Sequence, residues 1–426
     1  MFKKNEVVIM KYALVDGALG HTGSFLVKFL LESGDWHIVA TDLAPEERKK
    51  LMTKETVFSR DLEYIDCRKW VSENLTYISA DLTKKESLKA LFSENLFDDN
   101  KKNYDVIFHP ASLYDYFAEY ELLHKINYGG LKNLLEVITE YSEQLSTGIP
   151  RFIHWSTCGV YGEPIYSRNK KGYIHPISED SPFDPPNNYS VTKTEQEKLI
   201  HEWAEQYSNF KWTIIRPAPI YGPYQTYGAF HIFYMIKKLG YLPLPKLPKK
   251  KKLMMPMVHV EDLARSAIFL AGKEEAVGEA YNLCGDPVLQ EHFLEFCYKL
   301  LGVEFMVIPT PWFYYSLNAK ILFWLAKLKN KKARKLGIRP KIDLPMAGYI
   351  THQYYFSNQK IKDLGFKFEF GDYRTGTYHT IKWYIDNGWL PTEYFELPKF
   401  VSTEPKPALQ PKIEYKTPME GGKVFH

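Results

Sequence analysis

The sequence predicts an α/β protein built on a doubly wound parallel sheet, and three observations carry that prediction. Residues 11–16 (KYALVD) make a short buried-strand pattern that runs into Gly17-Ala18-Leu19-Gly20-His21-Thr22-Gly23. A helical pattern follows, stopped at Gly34, and then a second strand from Trp36 to Thr41, ending at Asp42. Strand-then-helix units recur at Leu75 to Ala80, Asp105 to His109, Arg151 to Trp155 and Trp212 to Arg216. Strands that alternate with helices pair in parallel through right-handed crossovers.

That rhythm breaks after Pro217, where prolines and aromatics crowd residues 217–256. Residues 1–217, with parts of 255–285, therefore form the first domain. Residues 218–395 form a smaller, interleaved α/β unit that would bind substrate. Residues 1–9 read as a small extension. The Pro- and Lys-rich stretch 396–426 reads as an extended tail.

Composition excludes several classes. The 426 residues, 45% hydrophobic and 25% charged, suit a globular protein with a large core. A net charge of +4 does not imply a nucleic-acid partner. Cys67, Cys158, Cys284 and Cys297 lie far apart, without a CxxC pair or a Cys/His cluster at zinc spacing. They read as reduced, buried thiols in a cytoplasmic protein, with no metal site. Met1 to Met10 carries Lys3, Lys4 and Glu6 and so is no signal peptide. No uninterrupted apolar run reaches the roughly 18–20 residues that a spanning helix needs. The 15% aromatic content fits a greasy or stacking substrate cavity, or simply an aromatic core.

Gly17, Gly20 and Gly23 have the chemistry of a phosphate cradle. A pyrophosphate needs backbone N–H donors at close range, and a side chain larger than hydrogen blocks that approach. Leu19, His21 and Thr22 belong to the same turn. Asp42 stands 19 residues past Gly23 at a strand end, where a carboxylate can accept hydrogen bonds from ribose hydroxyls. A 2′-phosphate there would meet like charge, so NAD is favoured over NADP; Arg48 and Lys49 lie several residues further on. Asp81-Leu82, after the third strand, can contact adenine, or Asp81 can serve as a helix N-cap.

Tyr189-Ser-Val-Thr-Lys193 puts a phenol and an ammonium four residues apart, on one helix face. A phenol of pKa about 10 must drop by roughly 3 units, about 4 kcal/mol, to act as a base near neutral pH. The Lys193 charge and the positive nicotinamide are plausible sources of that drop. Thr157 lies 32 residues earlier, where a strand ends in hydroxyl residues, and it can bond the oxygen that Tyr189 protonates.

With these residues in view, the chain resembles the extended short-chain dehydrogenase/reductase family over about residues 10–395. The matching segments are GALGHTG, HPAS (His109 to Ser112), STCGVYG, YSVTK, and RPAPIYGP followed by VHVEDLA. The resemblance implies a Rossmann-like sheet, a homodimer, and catalysis by Thr157, Tyr189 and Lys193. It also implies that Lys193 holds the nicotinamide ribose. Pro110, Ala111 and Ser112 would line the cofactor, with Pro217 against the nicotinamide.

Within that family the residues lean toward an apolar alcohol or ketone. Nucleotide-sugar members usually carry an Asn before YGP and an Arg before the VHVEDLA-like strand; here those stretches read RPAPIYGP and LMMPM. Dehydratases place an Asp-Glu pair where Cys158-Gly159 stands. Trp312 to Leu328 has thirteen apolar or aromatic side chains in seventeen positions and precedes the basic run Lys327 to Lys335. Such a segment suits peripheral contact with an anionic membrane on the cytoplasmic face and resembles the 3β-hydroxysteroid dehydrogenase-like branch; it also suits a core helix followed by a charged loop. A nucleotide-sugar epimerase or reductase, and a non-catalytic NAD sensor or scaffold, are the alternatives.

Overall fold

The computed structural model describes residues 10–44, 46–47, 66–98, 101–163, 174–226, 228–336, 347–348, 351–390 and 414–415. The 1–9 extension, Arg48, Lys49 and all but two residues of the 396–426 tail lie outside them. The strands used below are β1 (Lys11–Val15), β2 (Trp36–Asp42), β3 (Leu75–Ser79), β4 (Val106–His109), β5 (Arg151–Trp155), β6 (Trp212–Pro217), β7 (Tyr241–Lys246), β8 (Glu279–Leu283) and β9 (Glu304–Pro309). The helices are α1 (His21–Ser33), α2 (Gly129–Gln144), α3 (Asn188–Gln206), α4 (Ala229–Leu239), α5 (Val260–Ala271), α6 (Gln290–Leu300), α7 (Trp312–Leu336) and α8 (Tyr373–Asp386).

Seven strands form one sheet in the order β3-β2-β1-β4-β5-β6-β8, every pair parallel. The Rossmann-like sheet expected from the sequence is therefore present. Both faces are covered, so alternate residues of each strand serve two cores. Ala13, Val15, Phe108, Ile153 and Ile215 pack with α1 and α5. Leu14, Ile107, Phe152 and Ile214 pack with α2 and α3. Strand order reverses between β1 and β4, and in open sheets of this kind that switch point leaves a crevice at the carboxyl ends of the strands.

After β6 the chain leaves the sheet and returns to it at β8. A third core gathers Phe230 and Phe233 of α4, Phe293 and Phe296 of α6, and Ile381 and Tyr384 of α8. A short two-stranded pair, β7 with β9, leads into α7. The four cysteines are all free and buried.

Candidate functional site

The glycine turn after β1 has the form that an anion cradle requires. Gly17 is left-handed (φ 57°), and a Cβ there would lie 2.8 Å from the Ala111 Cα. A Cβ on Gly23 would lie 2.2 Å from the Gly17 carbonyl oxygen, so close helix–strand packing forbids any side chain. Gly20 caps α1 without a side-chain hydrogen bond, and no acid sits in the first turn. The helix N-terminus thus offers its backbone donors and its positive end to a phosphate. These features fit NAD.

Two carboxylates tie the cradle to its surroundings. Asp42 Oδ2 accepts from the Leu19 N–H at 2.9 Å and Oδ1 from the Leu43 N–H at 2.8 Å. Asp16, buried at the end of β1, accepts from the Ala111 N–H at 2.9 Å and bonds His109 Nδ1. That clasp brings Pro110, Ala111 and Ser112 beside the glycine turn, and sequence reasoning missed Asp16. His21 Nε2 bonds the Pro223 carbonyl at 2.8 Å and joins the turn to the segment beyond Pro217. The Asp81 carboxylate is engaged locally, by Thr83 N–H at 2.9 Å and Lys84 Nζ at 2.9 Å, but the cap of the short helix Lys85–Leu88 is Lys84, so Asp81 is not its N-cap. Leu82 packs against Gly130, where a Cβ would lie 3.0 Å from the Leu82 Cβ.

The helix α3 starts where Asn187 accepts from the Ser190 N–H at 2.9 Å. It presents Tyr189 and Lys193 on one face, both almost wholly buried. Lys193 Nζ donates to the Trp155 carbonyl at 2.7 Å and lies 5.9 Å from the centre of the Tyr189 ring. Thr157 accepts from the Gly159 N–H at 3.0 Å. Its own hydroxyl proton is therefore left to give to another oxygen. Tyr114 and Tyr116 stand edge-on to Tyr189, with centroids at 5.1 and 5.4 Å. Spacing alone did not single these two out, although both follow directly on HPAS.

The charges differ from the simple expectation. Burial holds the Tyr189 phenol well above its usual value, with the Ser112 hydroxyl opposing. Burial also pushes Lys193 down to about 7, against the Asp16 and Glu197 carboxylates that raise it. A lysine four residues away on an exposed helix would lower the phenol; here desolvation of both groups outweighs that attraction.

Residues 13–284 match the NAD dependent epimerase/dehydratase family. The chain belongs to that family. An uncharacterized UDP-glucose epimerase of Bacillus subtilis is 27% identical over 64% of this chain and 76% of its own. Vestitone reductase of Medicago sativa is 28% identical over 63% and 74%. A sterol-4-alpha-carboxylate 3-dehydrogenase of Bos taurus is 31% identical over a shorter stretch, 29% and 31%. Among solved structures, UDP-glucose 4-epimerase of Thermotoga maritima with UDP-glucose aligns with a TM-score of 0.59 at 19% identity, covering 88% of this chain and 99% of that one. The NAD complex of the Thermus thermophilus epimerase aligns at 0.55 and 20%, covering 87% and 99%. This epimerase/dehydratase-family chain is thus an NAD-dependent enzyme of the extended short-chain dehydrogenase/reductase type.

Behind Tyr189 and Lys193 the enzyme keeps a buried ion-pair network. Arg216, at the end of β6, grips Glu197 at 3.0 and 2.7 Å and donates to the Tyr161 hydroxyl at 2.7 Å. Tyr161 in turn donates to Asn282 at 2.8 Å, and Ser156 bonds Glu197. This network anchors the turn that carries Thr157 and places a carboxylate one helical turn beyond Lys193. Its members are scattered from 156 to 282, so no local pattern reveals them. His259, Glu261 and His379 also converge within 4.8 Å. There the His259 Nδ1 already accepts from the Glu261 N–H, and Glu261 pairs with Arg265 at 3.1 Å.

A cavity of about 860 Å³ lies beside α7. Leu253, Met254, Leu289, Trp312, Phe323 and Trp324 make its apolar wall. Lys249, Lys251, Lys252, Lys320 and Lys327 stand on its rim. Glu163, which follows Thr157 by six residues in the chain and which His352 approaches at 3.7 Å, also lines the cavity; Thr157, Tyr189 and Lys193 do not. Three lysines of one run, Lys249, Lys251 and Lys252, thus line the cavity.

Proposed function

We propose that this enzyme transfers hydride between NAD and a secondary alcohol or ketone of a bulky, apolar, sterol- or lipid-like substrate. The observation that carries the reading is the cavity wall: six apolar residues around about 860 Å³, a volume suited to a large organic ligand. Gly17, Gly20, Gly23, Asp42 and Ala111 would hold the cofactor, and Lys193 its nicotinamide ribose. Bound NAD supplies the hydride chemistry. Tyr189 exchanges a proton with the substrate oxygen, and Thr157 donates a hydrogen bond to the same atom. Tyr114 and Tyr116 shield the phenol from water. Among the relatives, one is by name a sterol-4-alpha-carboxylate 3-dehydrogenase, which supports a sterol-like substrate.

A nucleotide-sugar reading has its own support in the five rim lysines, since a diphosphate needs cations. Two of the five are already engaged: Lys252 with Glu291 and Lys251 over the Trp312 ring at 5.2 Å. Mass spectrometry of small molecules that co-purify with the protein, followed by NAD-linked turnover of the compounds found, separates the readings. An apolar alcohol or ketone turned over with NAD supports the proposal. A nucleotide sugar overturns it, and any turnover excludes a pure sensor or scaffold.

Asp42 gives a second test. Asp42→Ser combined with Leu43→Arg should shift preference toward NADP by at least about tenfold in kcat/KM, because the like charge that repels a 2′-phosphate is gone. The variant should also lose about 1 kcal/mol of stability with the Leu19 N–H bond. A wild type that already prefers NADP would show that Asp42 does not face the ribose.

A further inference from the structure

The long apolar segment that the sequence left open between core and membrane surface is an exposed helix. Its inner side is used: Trp312, Ser316, Ala319, Phe323 and Lys327 line the cavity, at helical spacing. Ala326, Asn330 and Ala333, all buried, continue that side. The opposite side is also apolar, and it faces outward. Phe313 is 75% exposed, and Tyr314, Leu317, Ile321, Leu325 and Leu328 are exposed beside it. Met306, Val307 and Ile308 of β9, just before α7, are exposed as well. Single exposed apolar residues are ordinary on a protein surface, but a contiguous stripe of this size marks a contact surface.

We propose that α7 lies flat on an anionic lipid bilayer, its outer apolar face in the headgroup–acyl boundary and its lysines against the acidic headgroups. Charge selects this occupant. Residues 305–336 hold seven Lys or Arg and no Asp or Glu. Lys329, Lys331, Lys332 and Lys335 are exposed, and none has an acidic partner among the described residues. A second copy of the chain related by a twofold axis would set this acid-free cationic face against itself, so self-association is disfavoured. Among the described residues no helix is long and apolar enough to span a membrane, so the helix lies on the surface rather than crossing it. Docked this way, α7 separates the acyl region from the cavity on its inner side by a single helix. The inference stands apart from the substrate reading, because it rests on the outer face alone.

The test is co-sedimentation of the full-length protein with phosphatidylcholine vesicles, with and without phosphatidylserine. The proposal expects binding to the phosphatidylserine vesicles at low salt and its loss at high salt, because exposed charges are screened beyond roughly 10 Å. Changing Lys329, Lys331, Lys332 and Lys335 to Gln should weaken that binding by at least about tenfold. Phe313→Ser with Leu317→Ser should weaken it comparably, while NAD binding, read separately, shows that both variants fold. No binding to acidic vesicles at low salt overturns the proposal, as does equal binding to neutral vesicles. A concentration-dependent dimer dispersed by Leu317→Ser would assign the face to a second copy and overturn it too.

Discussion

Tyr189→Phe is expected to keep the fold and NAD affinity while kcat falls by about 10²–10⁴-fold, the usual contribution of a positioned proton-transfer group. The substitution removes one oxygen. The ring remains, and with it the edge-on contacts to Tyr114 and Tyr116 that fill the space around it. Thermal melting and NAD titration should therefore match the wild type. The raised phenol adds a pH signature. In ketone reduction Tyr189 acts as the acid, so the rate should hold near neutral pH and fall only as the phenol ionises. In alcohol oxidation it must first lose its proton, so the rate should climb as pH rises. Steady-state rates in both directions across the alkaline range test this. Full activity in the Phe variant would put the proton-transfer group elsewhere, and a collapse of NAD binding would give Tyr189 a structural role instead.

The elements and the cradle were legible because they depend on local patterns. The period-two and continuous apolar runs gave the strands to within a residue or two; β5, for example, spans Arg151–Trp155 as read. The glycines were legible because each is forced by backbone approach, as the 2.2 Å clash at Gly23 shows. What escaped depends on long-range contact. Asp16 and Ala111 are 95 residues apart, and Arg216 meets Glu197 only because β6 runs beneath α3. Burial escaped too. Four-residue spacing shows that Tyr189 and Lys193 share a face but not that the face is dry, and dryness reverses the expected direction of the phenol's shift. For Trp312 to Leu328 the apolar count was correct but could not say which side was covered. The answer is one side, with a cavity beneath it.

Lys193→Met should weaken NAD binding, cut turnover, and remove a pH dependence of stability from the cofactor-free protein. Lys193 is fully buried, with a folded pKa of about 7 against an ordinary 10.5. Between those two values the unfolded chain holds a proton on this residue that the folded chain has released. Stability therefore rises with pH across that window and is flat, with the full penalty present, below about 7. At about 1.4 kcal/mol per unit, the penalty at neutral pH is on the order of several kcal/mol. Methionine carries no charge to desolvate. It leaves the Trp155 carbonyl without its 2.7 Å donor, a loss of about 1–3 kcal/mol at every pH. The two curves should thus converge: at pH 6.5 the variant should be as stable as the wild type or more so, and by pH 9.5 most of that difference should be gone. Urea unfolding midpoints across that range, without NAD, measure the difference. Parallel profiles would mean that the ammonium is hydrated in the folded protein, and the buried, proton-poor Lys193 described above would be wrong. The functional losses would have a separate origin, since on the proposed reading the same variant removes the donor to the nicotinamide ribose. Turnover that falls while the stability profile changes as stated would tie both effects to one side chain: a lysine held dry at a stability cost so that it can meet the cofactor.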